Sequence, residues 1–174
     1  MRYLILSAIA IINLILTGAV FPNINIAGIH PDVIICTMAS IVIMEKSMMG
    51  AIVGLVCGLA LDIMFSGAIG FYTIPLFLTG SLLYFAVSRF QFFNKFLLPG
   101  IFAMGAYLVK ELFCAIIVYM LGIRFSLGHM FVRYILMEAL ITGVFMLLIH
   151  MLLRRLYRTS SLKPHYVEDI KKLL

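Results

Sequence analysis

Charged side chains are scarce in this chain of 174 residues: Asp, Glu, Lys and Arg make up 11% of it, whereas hydrophobic residues make up 64%. A soluble domain is about 25% charged and roughly 45–50% apolar. A globule of this size therefore has too little polar surface to cover its apolar side chains, which excludes a soluble domain. The 14 Phe and 8 Tyr residues exclude a disordered chain, because disordered segments are poor in aromatic residues. The composition predicts an integral membrane protein.

Cysteine is also scarce, and the usual catalytic and metal-binding motifs are missing from the sequence. Cys36, Cys57 and Cys114 each lie inside an apolar run, so this odd set predicts buried packing residues rather than disulfides. The four histidines are too dispersed to predict a metal site. The chain has no nucleophile elbow, no HExxH pair and no phosphate-binding glycine loop. We therefore expect a protein that is not an enzyme, that uses no cofactor and that does not bind nucleic acid.

Long apolar runs are what the chain has in abundance. A membrane-spanning helix needs about 20 residues, so six of them fit this length only if the loops are short. The runs predict an all-α membrane bundle of six transmembrane helices in residues 1–153 and a basic cytoplasmic tail in residues 154–174. The predicted spans cover residues 3–21, 31–46, 48–65, 69–88, 97–121 and 131–153. The second and third are only about 24 Å long, so we expect protein to shield them partly from lipid. A bundle of five spans, with this pair fused or withdrawn, is the alternative.

Individual prolines and polar residues give local expectations. Pro31 and Pro99 suit the first turn of a helix, and Asp32 suits the positive end of a helix dipole. Pro75 falls inside the fourth predicted span, where a proline kinks a membrane helix. Asn13 lies in the first span, and its amide can form a hydrogen bond with a neighbouring helix.

Basic residues are distributed unevenly between the two sides of the predicted bundle. If six helices span the membrane, ten of the 13 Lys and Arg residues share one side with both termini, and only two lie on the other side. The ten are Arg2, Lys46, Arg89, Lys95, Arg154, Arg155, Arg158, Lys163, Lys171 and Lys172. Because cations collect on the cytoplasmic side, we expect both termini in the cytoplasm and an attraction to an anionic inner leaflet. Helical spacing of apolar residues in 166–174 predicts either a short interfacial helix or a frayed end.

Four charged residues are placed in the lipid by the predicted spans, where an ionised side chain is costly: Asp62, Lys110, Glu111 and Glu138. We expect Lys110 to pair with Glu138, with Arg133 and Asp62 as further candidates. An ion pair that locks helices together is one interpretation of these charges. Binding of a partner, a proton relay and ion transport are the others. The residues predicted at the outer surface are Asp32, Arg124 and Arg133.

A stripe of small residues runs along the third predicted span. Gly50, Gly54, Gly58 and Asp62 are spaced by four, so they share one face of a helix. Small residues at this spacing let a second helix approach closely, and that helix belongs either to this chain or to a partner. Asp62, at the outer end of the stripe, is placed to cap a helix or to pair with one of the outer-surface arginines.

Segments 28–32, 50–62 and 66–70 together resemble the bacterial rod shape-determining MreD family. The resemblance lies in the Pro-Asp pair at 31–32, the glycine-rich span that closes on Gly58-Leu-Ala-Leu-Asp62, and the glycine turn that begins at Ser66. The chain length, the six apolar runs and the basic tail match the layout of the family over nearly the whole chain.

The resemblance implies a role in the cell-wall elongation complex of the bacterial inner membrane. Members of the family are not enzymes; they control rod shape by binding the periplasmic scaffold MreC and linking it to MreB filaments and peptidoglycan synthases. Their fold is similar to the six-helix substrate-binding components of energy-coupling-factor vitamin transporters. A component of such a transporter is therefore the alternative function, and its pocket would need converging polar groups at the outer side.

Overall fold

The computed structural model describes residues 2–20, 30–66, 69–89, 98–122 and 135–158, and these residues form helices and turns without any strand. The six helices are α1 (Arg2–Ile15), α2 (Val33–Glu45), α3 (Met49–Leu61), α4 (Thr73–Arg89), α5 (Leu98–Met120) and α6 (Leu136–Arg158). α1 and α3 each continue into a wider π-helical turn, Leu16–Val20 and Asp62–Ser66. The all-α prediction is confirmed for this part of the chain.

Among the described residues, three helical segments are long and apolar enough to cross a membrane: Met49–Ser66, Leu98–Met120 and Leu136–Tyr157. Three further apolar helices are shorter, at Ile5–Ala19, Val33–Glu45 and Thr73–Arg89. Length and composition of the helices therefore agree with the membrane protein that the amino-acid composition predicts.

α2 lies at the centre of the bundle, where it contacts each of the other five helices. Its sequence is apolar on every side, which is typical of a helix that is surrounded by protein, and nearly all of its residues are buried. Its 13 residues span about 20 Å, which is less than the hydrocarbon thickness of a bilayer. Neighbouring helices therefore shield α2, as expected, and a short turn at 46–48 keeps it separate from α3.

Both ends of α2 are set by its flanking residues. Asp32 is the N-cap, because its carboxylate accepts a hydrogen bond from the amide of Ile35 at 3.1 Å. Pro31 therefore precedes the helix instead of lying in its first turn. The helix ends at Glu45, and Lys46 adopts a left-handed backbone conformation, with φ of 47°, that stops it.

Two other predictions about helix geometry differ from the structure. Pro75 lies in the first turn of α4, which begins at Thr73, so its missing amide proton removes no bond from the helix interior. It opens the helix and does not kink it. α6 continues to Arg158, past the predicted end of the sixth span at residue 153. Pro99, by contrast, lies in the first turn of α5 as predicted.

Polar contacts attach both halves of α2 to its neighbours. The side-chain amide of Asn13 in α1 donates a hydrogen bond to Thr37 Oγ1 at 2.7 Å, and both side chains are buried. The predicted interhelical bond of Asn13 is therefore confirmed. Near the other end, the hydroxyl of Tyr157 in α6 donates to the carboxylate of Glu45 at 2.7 Å. These two bonds connect α2 to α1 and α6 and fix its position along the bundle axis.

Candidate functional site

The glycine stripe of α3 packs against helices of the same chain. A Cβ atom at Gly54 would lie 2.5 Å from the sulfur of Met38 in α2, and one at Gly58 would lie 2.7 Å from the Cα of Thr73 in α4. Gly50 also faces α2, where the backbone carbonyl of Met38 blocks any added side chain. Small residues at this spacing are what allow such close approach between helices. The stripe serves internal packing in this structure, and its face is already occupied.

Other glycines, which lack this regular spacing in the sequence, make equally close contacts. A Cβ at Gly80 in α4 would lie 2.7 Å from the Cα of Ala51 in α3. A Cβ at Gly100 in α5 would lie 3.0 Å from the carbonyl oxygen of Gly143 in α6. These glycines do not follow one another at intervals of four residues, so the spacing pattern that identifies the stripe does not identify them. They show that α3–α4 and α5–α6 are closely packed helix pairs.

Asp62 is a buried carboxylate, 1% exposed, that organises the turn between α3 and α4. Its oxygens accept hydrogen bonds from the amides of Gly70 at 2.7 Å, Tyr72 at 2.7 Å and Thr73 at 3.1 Å. The hydroxyl groups of Thr73 and Ser66 also donate to it, at 2.5 and 3.2 Å. Amides at the start of a helix have no partner within the helix, so the carboxylate caps α4 from a distance. Capping is one of the two roles that the sequence predicts for Asp62.

Five residues of α2, α5 and α6 form what we call the charge cluster: Asp32, Tyr107, Lys110, Glu111 and Glu138. The ammonium of Lys110 lies 3.1 Å from a carboxylate oxygen of Asp32 and 2.6 Å from one of Glu111. The same ammonium lies 4.9 Å from the ring centre of Tyr107, whose hydroxyl donates a hydrogen bond to Glu138. The predicted ion pair between Lys110 and Glu138 is therefore wrong: the partner of Lys110 on another helix is Asp32.

The short length of α2 explains this difference. Lys110 lies ten residues before the end of α5, or about 15 Å along the helix axis. Asp32, expected at the outer surface, lies beside this middle part of α5, and its side chain is only 17% exposed. Because 78 residues separate Asp32 from Lys110, no local spacing indicates the pair. The charge that balances Lys110 therefore comes from the capping residue of a helix that begins deep in the bundle.

The charge cluster holds three carboxylates and one ammonium among the described residues, so the ionised groups carry a net negative charge. The amide of Asp32 also donates a hydrogen bond to Thr142 Oγ1 at 3.2 Å, which connects α2 to α6. The arrangement holds three helices together, and the carboxylates of Asp32 and Glu111 stay partly exposed. Within the described ranges, no group of three or more His, Cys, Asp or Glu residues could hold a metal ion.

Several residues named from the sequence lie outside the described residues. They include the outer-surface arginines Arg124 and Arg133, the connection that contains Lys95, and the tail from 159 to 174. The three cysteines are described: Cys36 and Cys57 are buried, Cys114 is partly buried, and none of the three forms a disulfide.

The chain was also compared with known proteins. No family profile matches it, and no curated protein or solved structure gives a significant match. The function is therefore inferred from the sequence and from the geometry of the helices.

Proposed function

We propose that this chain is a non-enzymatic component of the bacterial cell-wall elongation complex, of the MreD type, and that it acts by holding membrane partners together. The six-helix bundle spans the inner membrane, with the short α2 enclosed by its neighbours inside the bundle, and both termini lie in the cytoplasm. The main partner is a single-span periplasmic scaffold of the MreC type. MreB filaments and peptidoglycan synthases bind directly or through that scaffold.

The positions of the motif residues support this proposal most directly. Asp32 caps the central helix, α2, and forms an ion pair with Lys110. Gly54 and Gly58 allow α3 to pack closely against α2 and α4. Asp62 caps α4. The described residues of the segments that carry the resemblance therefore meet in one connected framework around α2. A chance likeness in glycine-rich composition predicts no such connection between residues 32, 54, 58 and 62.

The exposed surface of the helices also fits a protein that acts through membrane contacts. Large apolar side chains cover the outward faces of α4, α5 and α6, among them Phe85, Ile101, Leu112, Val144, Leu148 and Leu152. Proteins that stay in water rarely expose so much apolar surface, whereas in a bilayer such faces meet lipid or other helices. A partner reaches this chain mainly through those faces, because the glycine stripe is already filled.

The cavity between α4 and α5 is not the pocket that the transporter alternative needs, and the outer-surface Arg124 and Arg133 lie outside the described residues. A vitamin pocket needs several converging polar groups. The cavity between α4 and α5 is lined by Thr79, Leu82, Leu83, Ala86, Ile101, Phe102, Gly105, Ala106 and Val109, which include a single polar side chain. Hydrocarbon walls of this kind do not distinguish one polar nutrient from another.

Co-purification from bacterial membranes tests the proposed function. The full chain carries an affinity tag and is isolated in a mild detergent, and the co-purified proteins and small molecules are identified by mass spectrometry. We expect recovery of a single-span periplasmic scaffold protein. A bound vitamin or an ATPase coupling module, recovered without any such scaffold, contradicts the proposal and supports transport.

Depletion of the protein provides a second readout, the shape of the cell. Rod-shaped cells are expected to become round when the chain is depleted, and the unaltered chain restores the rods. The variant Ile52→Leu, which changes an exposed apolar residue of α3 outside those faces, serves as a control and restores them as well. Cells that keep their rod shape after depletion contradict the proposed role.

A further inference from the structure

A narrow apolar groove runs between α4 and α5. Its volume is about 340 Å³, and its walls extend from Thr79 to Ala86 on α4 and from Ile101 to Val109 on α5. Eight residues of helix are about 12 Å long, so the groove extends along roughly two turns of each helix. A helix with its side chains is about 10–12 Å wide, so a neighbouring helix would insert only side chains into this groove. A single extended hydrocarbon chain fits it.

Gly105 shows that the groove is not merely a packing defect. A Cβ atom at the other glycines inside α3, α4, α5 and α6 would meet a neighbouring atom of the chain within 3.0 Å, whereas one at Gly105 would meet nothing within 4 Å. Glycine inside a helix is less stable than alanine, so a glycine that serves no internal contact has no structural benefit. At Gly105 the missing side chain keeps the groove open.

The groove presents hydrocarbon along its length. The hydroxyl oxygen of Thr79, its one polar side chain, is buried and has no hydrogen-bond partner among the described atoms. An occupant of the groove therefore meets carbon atoms, which favours an alkyl chain over a polar ligand.

A cation lies at one end of the groove. Arg89 is exposed and is the last residue of α4, three residues after Ala86 and seven after Leu82, so the three lie on the same face of the helix. Basic residues between membrane helices bind anionic lipid headgroups. We propose that the groove binds one acyl chain of an anionic phospholipid and that Arg89 attracts its negatively charged headgroup. This site is independent of the cell-wall role.

Native mass spectrometry of the full chain, purified in a neutral detergent and stripped of lipid, tests the proposal. The protein is titrated with phosphatidylglycerol and, separately, with phosphatidylcholine of the same chain length. We expect one tightly bound phosphatidylglycerol and an affinity about five-fold higher than for phosphatidylcholine, the ratio expected for one cation near an anionic headgroup. Equal affinity for the two lipids overturns the role of Arg89.

Four variants separate the two parts of the site. Arg89→Gln should remove the preference for phosphatidylglycerol but retain binding, whereas Arg154→Gln, which removes an exposed cation at the end of α6, should change neither. Gly105→Leu should fill the groove and abolish tight binding of both lipids. Ala86→Leu fills it from the other wall and keeps the test valid if Gly105→Leu does not fold. Unchanged binding in a folded groove-filling variant contradicts the proposal.

A photo-reactive residue in place of Leu82, which is already a large side chain on the groove wall, identifies the occupant in intact membranes without filling the groove. The proposal expects adducts with phospholipid. Adducts with a second copy of this chain or with another membrane protein, and none with lipid, overturn it in favour of a protein interface.

Discussion

Replacement of Asp62 by alanine should destabilise the bundle more than the loss of any other single polar side chain in α3 or α4. The carboxylate is 1% exposed and accepts three backbone and two hydroxyl hydrogen bonds. Alanine leaves the amides of residues 70, 72 and 73 without this acceptor. An orphaned buried group costs about 1–3 kcal/mol, and a lost cap costs about 0.5–2 kcal/mol.

Taking about 1 kcal/mol for each amide gives a total of roughly 3 kcal/mol for Asp62→Ala. At about 2–4 °C per kcal/mol, the value for soluble proteins of this size, the melting temperature should fall by about 6–12 °C. Asp62→Asn keeps one acceptor oxygen but turns an NH2 group toward the amides, so it should fall between alanine and the unaltered chain. The measurement is the loss of helical circular dichroism on heating in one fixed detergent.

Thr73→Val is the matched control, since it removes one hydroxyl donor to the same carboxylate and leaves the three amide bonds in place. Its cost should be about 1 kcal/mol. The explanation given for Asp62 is refuted if Asp62→Ala lowers the melting temperature no more than Thr73→Val does.

Two further predictions concern the charge cluster and the glycines. Lys110→Met should lower the free energy of unfolding by about 3 kcal/mol, because two poorly hydrated carboxylates lose their cation. Glu138→Gln should lower it by less than about 1.5 kcal/mol, because the amide oxygen still accepts a hydrogen bond from Tyr107. Adding Asp32→Asn to Lys110→Met should recover part of the loss, and a double variant less stable than Lys110→Met alone contradicts the pairing. Gly58→Ala should destabilise by about 1–3 kcal/mol, since its Cβ would lie 2.7 Å from backbone in α4, whereas Gly105→Ala should be neutral or stabilising by up to about 1 kcal/mol. Thermal unfolding of the pair in one detergent compares them, and equal losses would show that close approach at residue 58 is not required.

The features that the sequence predicts correctly are those with a local cause. The uniform apolar character of α2 indicates a helix enclosed by protein, and Asn13, a lone amide in an apolar run, indicates a bond between helices. Asp62 follows a stripe of glycines and precedes a glycine turn, which is the setting of a residue that caps the next helix. In each case the neighbours along the chain carry the necessary information.

The features that the sequence does not predict depend on how far each helix extends into the bundle. Lys110 could be matched with any carboxylate in the chain, and only the depth at which α2 begins places Asp32 beside it. The role of Pro75 depends in the same way on where α4 begins. Isolated glycines such as Gly80 leave no periodic signal, because a single close contact needs a single small residue.

The enclosure of α2 also sets the order in which the bundle is assembled. A segment of 13 residues that is covered on all sides cannot wait in the lipid as an independent helix, because it is too short to cross the bilayer and carries Glu45 at one end. Its neighbours must remain apart until it has entered, and α6 completes the enclosure from the other end of the chain through Tyr157. A chain that stops before α6 therefore leaves one side of α2 uncovered. Cellular proteases that degrade misassembled membrane proteins should remove this truncated chain faster than the full-length chain.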